Sequence, residues 1–374
     1  MLTRSFPKAL LRATASAALF PLALATTSPA AASSAQFLAS AANVSVYATG
    51  FNNPRGLKWG PDGHLYVAEG GPGGANSTIG QCTQVPDAGP YTGSPTGGRI
   101  SKVVNGTRVT VTDQFPSSQT QPGLGSLVSG VADIAFIGNT LYAITAGSGC
   151  SHGVANTVNG VFRVSSTGHI TMVANLSAFQ MAHPVANPSP EDFEPDGTWY
   201  SMIALRGALY AVEPNHGELD RITTSGEISR VADISATQGH IVPTAIDYHG
   251  NFYVGNLNTF PIQSGSSRIL KITPDGYVQR VASGLTTVLG VAFDNRARMF
   301  VLENTDGQPF PTPGYGDIVR IDPNGKKTVV VRNLALPTAM TFGSDGALYV
   351  SNLGFGPPAV LPNGPGMILR ITGL

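Results

Sequence analysis

Charge is what this sequence has least of. Of its 374 residues only 12% are Asp, Glu, Lys or Arg, and 22 basic side chains balance 22 acidic ones to a formal net charge of zero. With no basic field the chain has no electrostatic means of holding nucleic acid or an anionic membrane. Tryptophan is reduced to 2 residues and cysteine to Cys82 and Cys150. No apolar run beyond the first 35 residues is long enough for a membrane helix. The hydrophobic share is an ordinary 42% and recurs in regular clusters after about residue 43, which excludes a disordered chain. Together with 45 Gly and 28 Pro, this composition describes many short strands joined by turns.

Acidic residues are also missing from the amino end, where none occurs before Asp62. Arg4, Lys8 and Arg12 precede the apolar run ATASAALFPLALA (13–25), which Pro21 interrupts. Small residues follow in SPAAASSA, offering cleavage after Ala30, Ala32 or Ala35. The pattern predicts an export signal over 1–35 and a mature domain over 36–374, secreted or periplasmic according to the host. An uncleaved anchor or an organellar transit peptide is the alternative. In an exported chain an even cysteine count predicts a Cys82–Cys150 disulfide, with two free thiols as the alternative.

The fold is read from an internal repeat. An apolar strand, a tight turn and an aromatic-centred strand recur as GLKWGPDGHLYVAE (56–69), DIAFIGNTLYAIT (133–145), SMIALRGALYAVE (201–213), TAIDYHGNFYVGN (244–256), GVAFDNRARMFVLE (290–303) and TAMTFGSDGALYVSN (338–352). A third strand follows each pair: GRISKV (98–103), GVFRV (160–164), ELDRIT (218–223), RILKIT (268–273), DIVRID (317–322) and MILRIT (367–372). Short turns ending in Gly, such as Asn105-Gly106, lead into five fourth strands of alternating polarity. The sixth is missing from the carboxyl end, and NVSVYATGF (43–51) matches it at the other end of the chain. The expectation is an all-β, six-bladed β-propeller of four-stranded antiparallel blades, closed by the N-terminal strand joining the last blade. Cys82 and Cys150 fall in equivalent loops of neighbouring units.

In such a meander the hairpins on one face of the disc are short. The connections on the other face are long here: 70–97, 114–129, 147–158, 177–199, 235–243, 257–267, 304–316 and 353–365. Stability does not require such lengths, so this face is the expected site of function. The second strands end there on Glu69, Thr145, Glu213, Asn256, Glu303 and Asn352, with Asn215 and His216 close behind. Inter-blade loops are expected to add Arg55, Asp133, Glu191, Asp192, Glu194, Asp196 and His240. The ligand set expected at the channel mouth is Arg55, Glu69, Glu213, Asn215, His240, Asn256, Glu303 and Asn352, and the partner a small molecule, glycan or protein. Carboxylates and amides in a ring could hold Ca²⁺ or another divalent cation, which could activate water against an ester or lactone. The plainer reading is polar groups of a wet channel that hydrogen-bond one another. His152, His183, His216 and His240 lack zinc-ligand spacing and read as surface or loop-packing residues. No G-x-S-x-G nucleophile elbow is expected, and the chain is expected to be a monomer.

Several segments together resemble the ScyD/ScyE family of secreted propeller proteins. They are VYATGFNNPRGLKWGPDGHLYVAEGG (46–71) with the Gly-rich, Cys-containing loop after it, GGRISKV (97–103), RILKITPDGYVQRVASGL (268–285) and ALYVSNLGFG (347–356). The likeness spans essentially the whole mature chain and implies an extracellular propeller of unassigned activity. That family is related by fold to NHL-repeat and regucalcin/gluconolactonase-type propellers. In those lactonases Glu, Asn and Asp hold the metal at the channel mouth. The resemblance implies Glu69 and Asn256 in comparable places, with Glu303 as a further candidate. No aspartate of this chain matches the third ligand, and EPDGTWYSMIAL (194–205) departs from the repeat in the third unit.

Overall fold

The computed structural model describes residues 42–354 and 366–374, apart from Asp192. The export segment, Asp192 and most of the last long loop therefore lie outside the described residues. The chain opens with β1 (Asn43–Phe51). Blade one follows as β2 (Pro54–Trp59), β3 (Leu65–Glu69), β4 (Thr92–Val104) and β5 (Thr107–Gln119), with a short fifth strand β6 (Val128–Ser129). Blade two is β7 (Val131–Ile137), β8 (Thr140–Thr145), β9 (Gly160–Val164) and β10 (Ile170–Asn175). Helix α1 (Leu176–Ala182) leads toward blade three, which is β11 (Ser201–Leu205), β12 (Ala208–Glu213), β13 (Glu218–Thr223) and β14 (Ile228–Asp233). After the single turn α2 (Ser235–Gln238), blade four is β15 (Pro243–Tyr248), β16 (Phe252–Asn256), β17 (Ser267–Ile272) and β18 (Val278–Leu285). Blade five is β19 (Val288–Phe293), β20 (Met299–Glu303), β21 (Gly316–Ile321) and β22 (Lys327–Leu334). Blade six is β23 (Ala339–Phe342), β24 (Leu348–Asn352) and β25 (Gly366–Thr372).

The protein is thus an all-β, six-bladed propeller of antiparallel meanders, and β1 completes blade six beside β25. Val44 stands opposite Ile371, Val46 opposite Leu369 and Phe51 opposite Gly366. Side chains fix this register: Ala48 and Phe51 are buried with Leu57, Val67, Tyr349 and Ile368 at the seam between blades six and one. Each of the five other seams has its own buried apolar cluster. Cohesion is thereby spread around the ring, with each blade face packed on the next.

The repeated aromatic has a local task as well. In blade one the Tyr66 hydroxyl donates to Asp62 Oδ2 at 2.9 Å, and in blade six Tyr349 does the same to Asp345 at 3.0 Å. Asp62 and Asp345 each open a tight hairpin whose following Gly63 or Gly346 has positive φ (76° and 72°), so the second strand locks the turn that precedes it.

Two details differ from the sequence reading. Residues 92–97 and 114–119, expected as loop, continue β4 and β5 into one long ribbon in which Thr92 pairs with Gln119. Pro95 and the glycines disfavour strand locally, but cross-strand pairing and three register shifts accommodate them. Arg55 and Asp133, expected in inter-blade loops, lie inside β2 and β7, because the inner strands begin before their apolar runs do. Among the described residues no helix is long and apolar enough to cross a membrane.

Candidate functional site

A buried backbone N–H needs an acceptor, and the links that arrive from one blade to begin the next carry several. The polar residues at the ends of the second strands supply them. Glu69 Oε2 accepts from Asn52 N at 2.7 Å, Glu213 Oε1 from Thr198 N at 2.9 Å, Glu303 Oε1 from Thr286 N at 2.6 Å and Asn352 Oδ1 from Ala335 N at 3.0 Å. Asn256 holds its link by donating to the Ile241 carbonyl at 2.8 Å, and accepts at 2.8 Å from Arg268 N on β17 of its own blade. Thr145 exchanges hydrogen bonds with the Gly160 backbone. All six are buried. In five blades the residue expected at the channel mouth therefore holds the arriving link, while Thr145 of blade two holds β9 of its own blade.

Their chemistry differs from blade to blade. Both oxygens of Glu69 are further engaged, Oε1 by Arg99 Nε at 2.9 Å and by Ser101 Oγ at 2.5 Å, and Oε2 by Arg99 Nη2 at 2.5 Å. Among the described residues no cation forms an ion pair with Glu303, although the Lys327 charge favours its ionised form. Burial pushes its carboxyl up to about 7; the Thr286 amide opposes that shift, while Asp306 and Asp317 add to it. A divalent cation of the Ca²⁺ type needs six to eight free oxygen ligands. Glu69, Asn256 and Glu303 stand on blades one, four and five, and the side-chain oxygens of Glu69 and Asn256 already accept hydrogen bonds. Among the described residues no group of three or more His, Cys, Asp or Glu is placed to hold a metal ion. The three residues do not fit that role.

The neck of the central channel lies just inside this ring. Bulges interrupt the pairing near the start of β2, β7, β15 and β19 and re-aim the residues there. On β2 the re-aimed residue is Arg55, which is buried and hydrogen-bonds the Val128 carbonyl. Its guanidinium also sits 5.8 Å from the ring centre of Tyr200, whose hydroxyl donates to the Thr338 carbonyl at 3.2 Å. Tyr200 belongs to blade three and Thr338 to blade six, so this contact spans the ring between opposite blades. Leu289, Leu336 and Leu353 pack here with Leu127, Tyr200 and Leu257.

Beyond the neck, the long loops of blades one and two are joined covalently. Cys82 and Cys150 form the expected disulfide, with Cα atoms 6.2 Å apart. Directly after Cys150, the buried His152 places Nε2 at 3.0 Å from Glu194 Oε2, while Tyr91 donates to Glu194 Oε1 at 3.3 Å and packs edge-on against the imidazole. Burial opposes charge on His152, but the Glu194 carboxylate and then Asp196 outweigh it and raise its pKa. Three segments meet at this point: the β3–β4 loop, the β8–β9 loop and the link into blade three. Contrary to expectation, Gly149-Cys150-Ser151-His152-Gly153 has the G-x-S-x-G spacing of a nucleophile elbow. Ser151 Oγ lies 3.4 Å from His152 Nδ1 but donates its proton to Asp196 Oδ2 at 2.6 Å. Ser151 and His152 are both fully buried, so no substrate carbonyl reaches them. The motif spacing is present here as a structural lock. Asn215 is buried after β12, beside His216, whose Nε2 meets the Glu194 carbonyl at 3.2 Å; His240 lies half-buried in the link between blades three and four.

No protein-family model and no curated protein matches the chain. Solved structures match it in fold. A protein of unknown function from Bacteroides thetaiotaomicron is 13% identical with a TM-score of 0.55, over 88% of this chain and 76% of that one. A gluconolactonase from Xanthomonas campestris is 11% identical with a TM-score of 0.52, over 88% and 90%. The PQQ-bound aldose sugar dehydrogenase of Streptomyces coelicolor is 14% identical with a TM-score of 0.52, over 89% and 99%. The class is a six-bladed propeller with lactonase and sugar dehydrogenase neighbours. At these identities the likeness is one of architecture alone.

Proposed function

We propose that the chain is exported, loses residues 1–35 and works outside the cytoplasm as a ScyD/ScyE-like propeller that binds a small molecule, glycan or protein on its long-loop face without turning it over. The observation that carries this reading is the braced platform of blades one to three. Long loops cost conformational entropy when a partner orders them, and a disulfide together with the buried His152–Glu194 pair has removed much of that cost beforehand. A metal-dependent hydrolase of the gluconolactonase type is the second reading. Glu303, raised to about 7, favours it as a proton carrier, whereas the donor set for a cation does not.

The test uses the mature protein on a glycan array and in a lactone-hydrolysis assay with glucono-δ-lactone, with and without Ca²⁺. A glycan hit should protect the amides of 70–91 and 147–158 from hydrogen exchange, with lactone hydrolysis no faster than in buffer. Turnover that requires Ca²⁺ and disappears in Glu303→Gln would replace the binding reading with the hydrolytic one. Protection confined to the short-hairpin face would place the ligand on the wrong side of the disc.

A further inference from the structure

The short-hairpin half of the central channel holds a cavity of about 200 Å³, on the face opposite the braced loops. The inner strands of all six blades contribute to its wall, but its charges come from three residues: Lys58 on β2, Asp133 on β7 and Asp247 on β15. Most of the remaining wall is small or apolar, including Gly56, Ala245, Gly290, Ala339, Phe293 and Phe342.

The three charges are held unequally. Asp133 is fixed, since its Oδ2 accepts from Met202 N at 2.8 Å and Ser201 Oγ at 3.1 Å, and its Oδ1 from Ile134 N at 2.8 Å. Gly56 permits this, because a Cβ there would lie 1.8 Å from Asp133 Oδ1. Asp247 is fixed by two backbone donors only, Tyr248 N at 2.8 Å and Phe293 N at 3.1 Å, so each oxygen keeps a free acceptor position toward the cavity. The Lys58 ammonium forms an ion pair with Asp133 at 3.7 Å, beyond hydrogen-bond length, and makes no hydrogen bond among the described residues. Its side chain keeps 27% of its surface accessible, so its N–H donors are available to a solute in the channel.

Lys58 and Asp247 belong to blades one and four, which face each other across a six-membered ring. Lys58 pairs with Asp133, while Asp247 has no ion-pair partner among the described residues, so the cavity carries one carboxylate more than its own cation balances. We propose that this cavity binds a small zwitterion, a free α-amino acid being the simplest case, with its carboxylate on Lys58 and its ammonium on Asp247. The volume equals roughly six or seven waters at about 30 Å³ each, enough for glycine or alanine. The site is separate from the long-loop face, and either can fail without the other.

Calorimetry and thermal shift on the mature protein test it, with glycine and alanine as zwitterions, methylamine and acetate as half-probes and glycerol as a neutral polar solute. The expected result is saturable binding of glycine or alanine at least about tenfold tighter than either half-probe. Lys58→Met, which keeps the stem, should weaken glycine binding about tenfold while leaving the melting temperature of the free protein within a few degrees, and Asp247→Asn should weaken it similarly. If Asp247→Asn fails to fold, the half-probe comparison and Lys58→Met still decide. Absence of saturable zwitterion binding, equal binding of acetate, methylamine or glycerol, or unchanged glycine affinity in Lys58→Met would each overturn the proposal.

Discussion

Arg99 grips Glu69 side-on, with Nε on Oε1 at 2.9 Å and Nη2 on Oε2 at 2.5 Å, on the neighbouring strand of the same blade. Glu69 is fully buried and Arg99 keeps 15% of its side-chain surface. The carboxylate that could have been a cation ligand thus joins β3 to β4, and through Asn52 N it also holds the link from β1. Four other blades repeat that anchoring with Glu or Asn. The polar ring follows from the way a propeller passes its chain from blade to blade.

Replacing Glu69 by Gln should therefore destabilise the protein rather than empty a metal site. Removing one partner of a buried pair costs about 3–5 kcal/mol, and the residual exposure of Arg99 brings the expected loss to about 2–3 kcal/mol. Urea denaturation measures it. Millimolar Ca²⁺ should leave the midpoints of parent and variant unmoved; a Ca²⁺-induced gain present in the parent and absent from the variant would restore the metal.

Deleting β1 should open the ring. The strand buries Ala48 and Phe51 at the seam between blades six and one and covers the edge of β25. The two side chains are worth about 3–5 kcal/mol together, and in a domain of this size each kcal/mol moves the melting temperature by roughly 2 °C. A chain beginning at Asn52 should melt roughly 10 °C lower and aggregate through its exposed edge. An unchanged melting curve would refute closure by this strand.

Reducing the disulfide should be felt over the whole domain. Its ends are 68 residues apart, for which the chain-entropy model gives about 4 kcal/mol. A Cys82→Ser, Cys150→Ser double variant should lose about that much, with the earliest hydrogen exchange in 70–91. Equal stability of the oxidised and reduced protein would show that the loops are held without the bond.

Glu303 should impose a pH slope. Its pKa is raised by burial from about 4.5 to about 7, so below pH 4.5 the folded and unfolded forms both carry the proton and the group has no net effect. Between pH 4.5 and 7 only the folded form keeps it, and stability falls as pH rises. Above pH 7 the deficit is constant, at most about 3 kcal/mol. Glu303→Gln retains the acceptor for Thr286 N, so it should flatten this part of the profile and stabilise the protein at pH 8 by about 1–3 kcal/mol. Glu218, also raised to about 7 by burial, contributes in the same direction and remains in the variant. An identical pH profile in parent and variant would mean that Glu303 titrates normally.

The blades were legible because their signal is local. An apolar strand, a turn ending in Gly and an aromatic-centred strand are written within about fourteen residues, and Tyr66 needs nothing farther away than Asp62 to lock its turn. The fourth strand missing from the carboxyl end implied that β1 completes blade six, and β1 pairs with β25 as that counting requires. The equivalent loop positions of Cys82 and Cys150 likewise pointed to the disulfide they form.

What the polar residues do was decided only in three dimensions. Glu69 looks like a ligand until Arg99, 30 residues on, closes over it, and Asp133 looks like a loop residue until Met202 N, 69 residues on, donates to it. Ser151 has the spacing of a nucleophile, and only packing shows that it is buried and donates to Asp196. Side-chain periodicity specifies strands because it depends on neighbours a few residues apart. A carboxylate's role depends on which donors and charges reach it through the fold, and those come from neighbouring strands and blades far along the chain. The sequence therefore determined a closed six-bladed ring, and the tertiary structure decided which donors and charges each polar residue of its rim and channel meets.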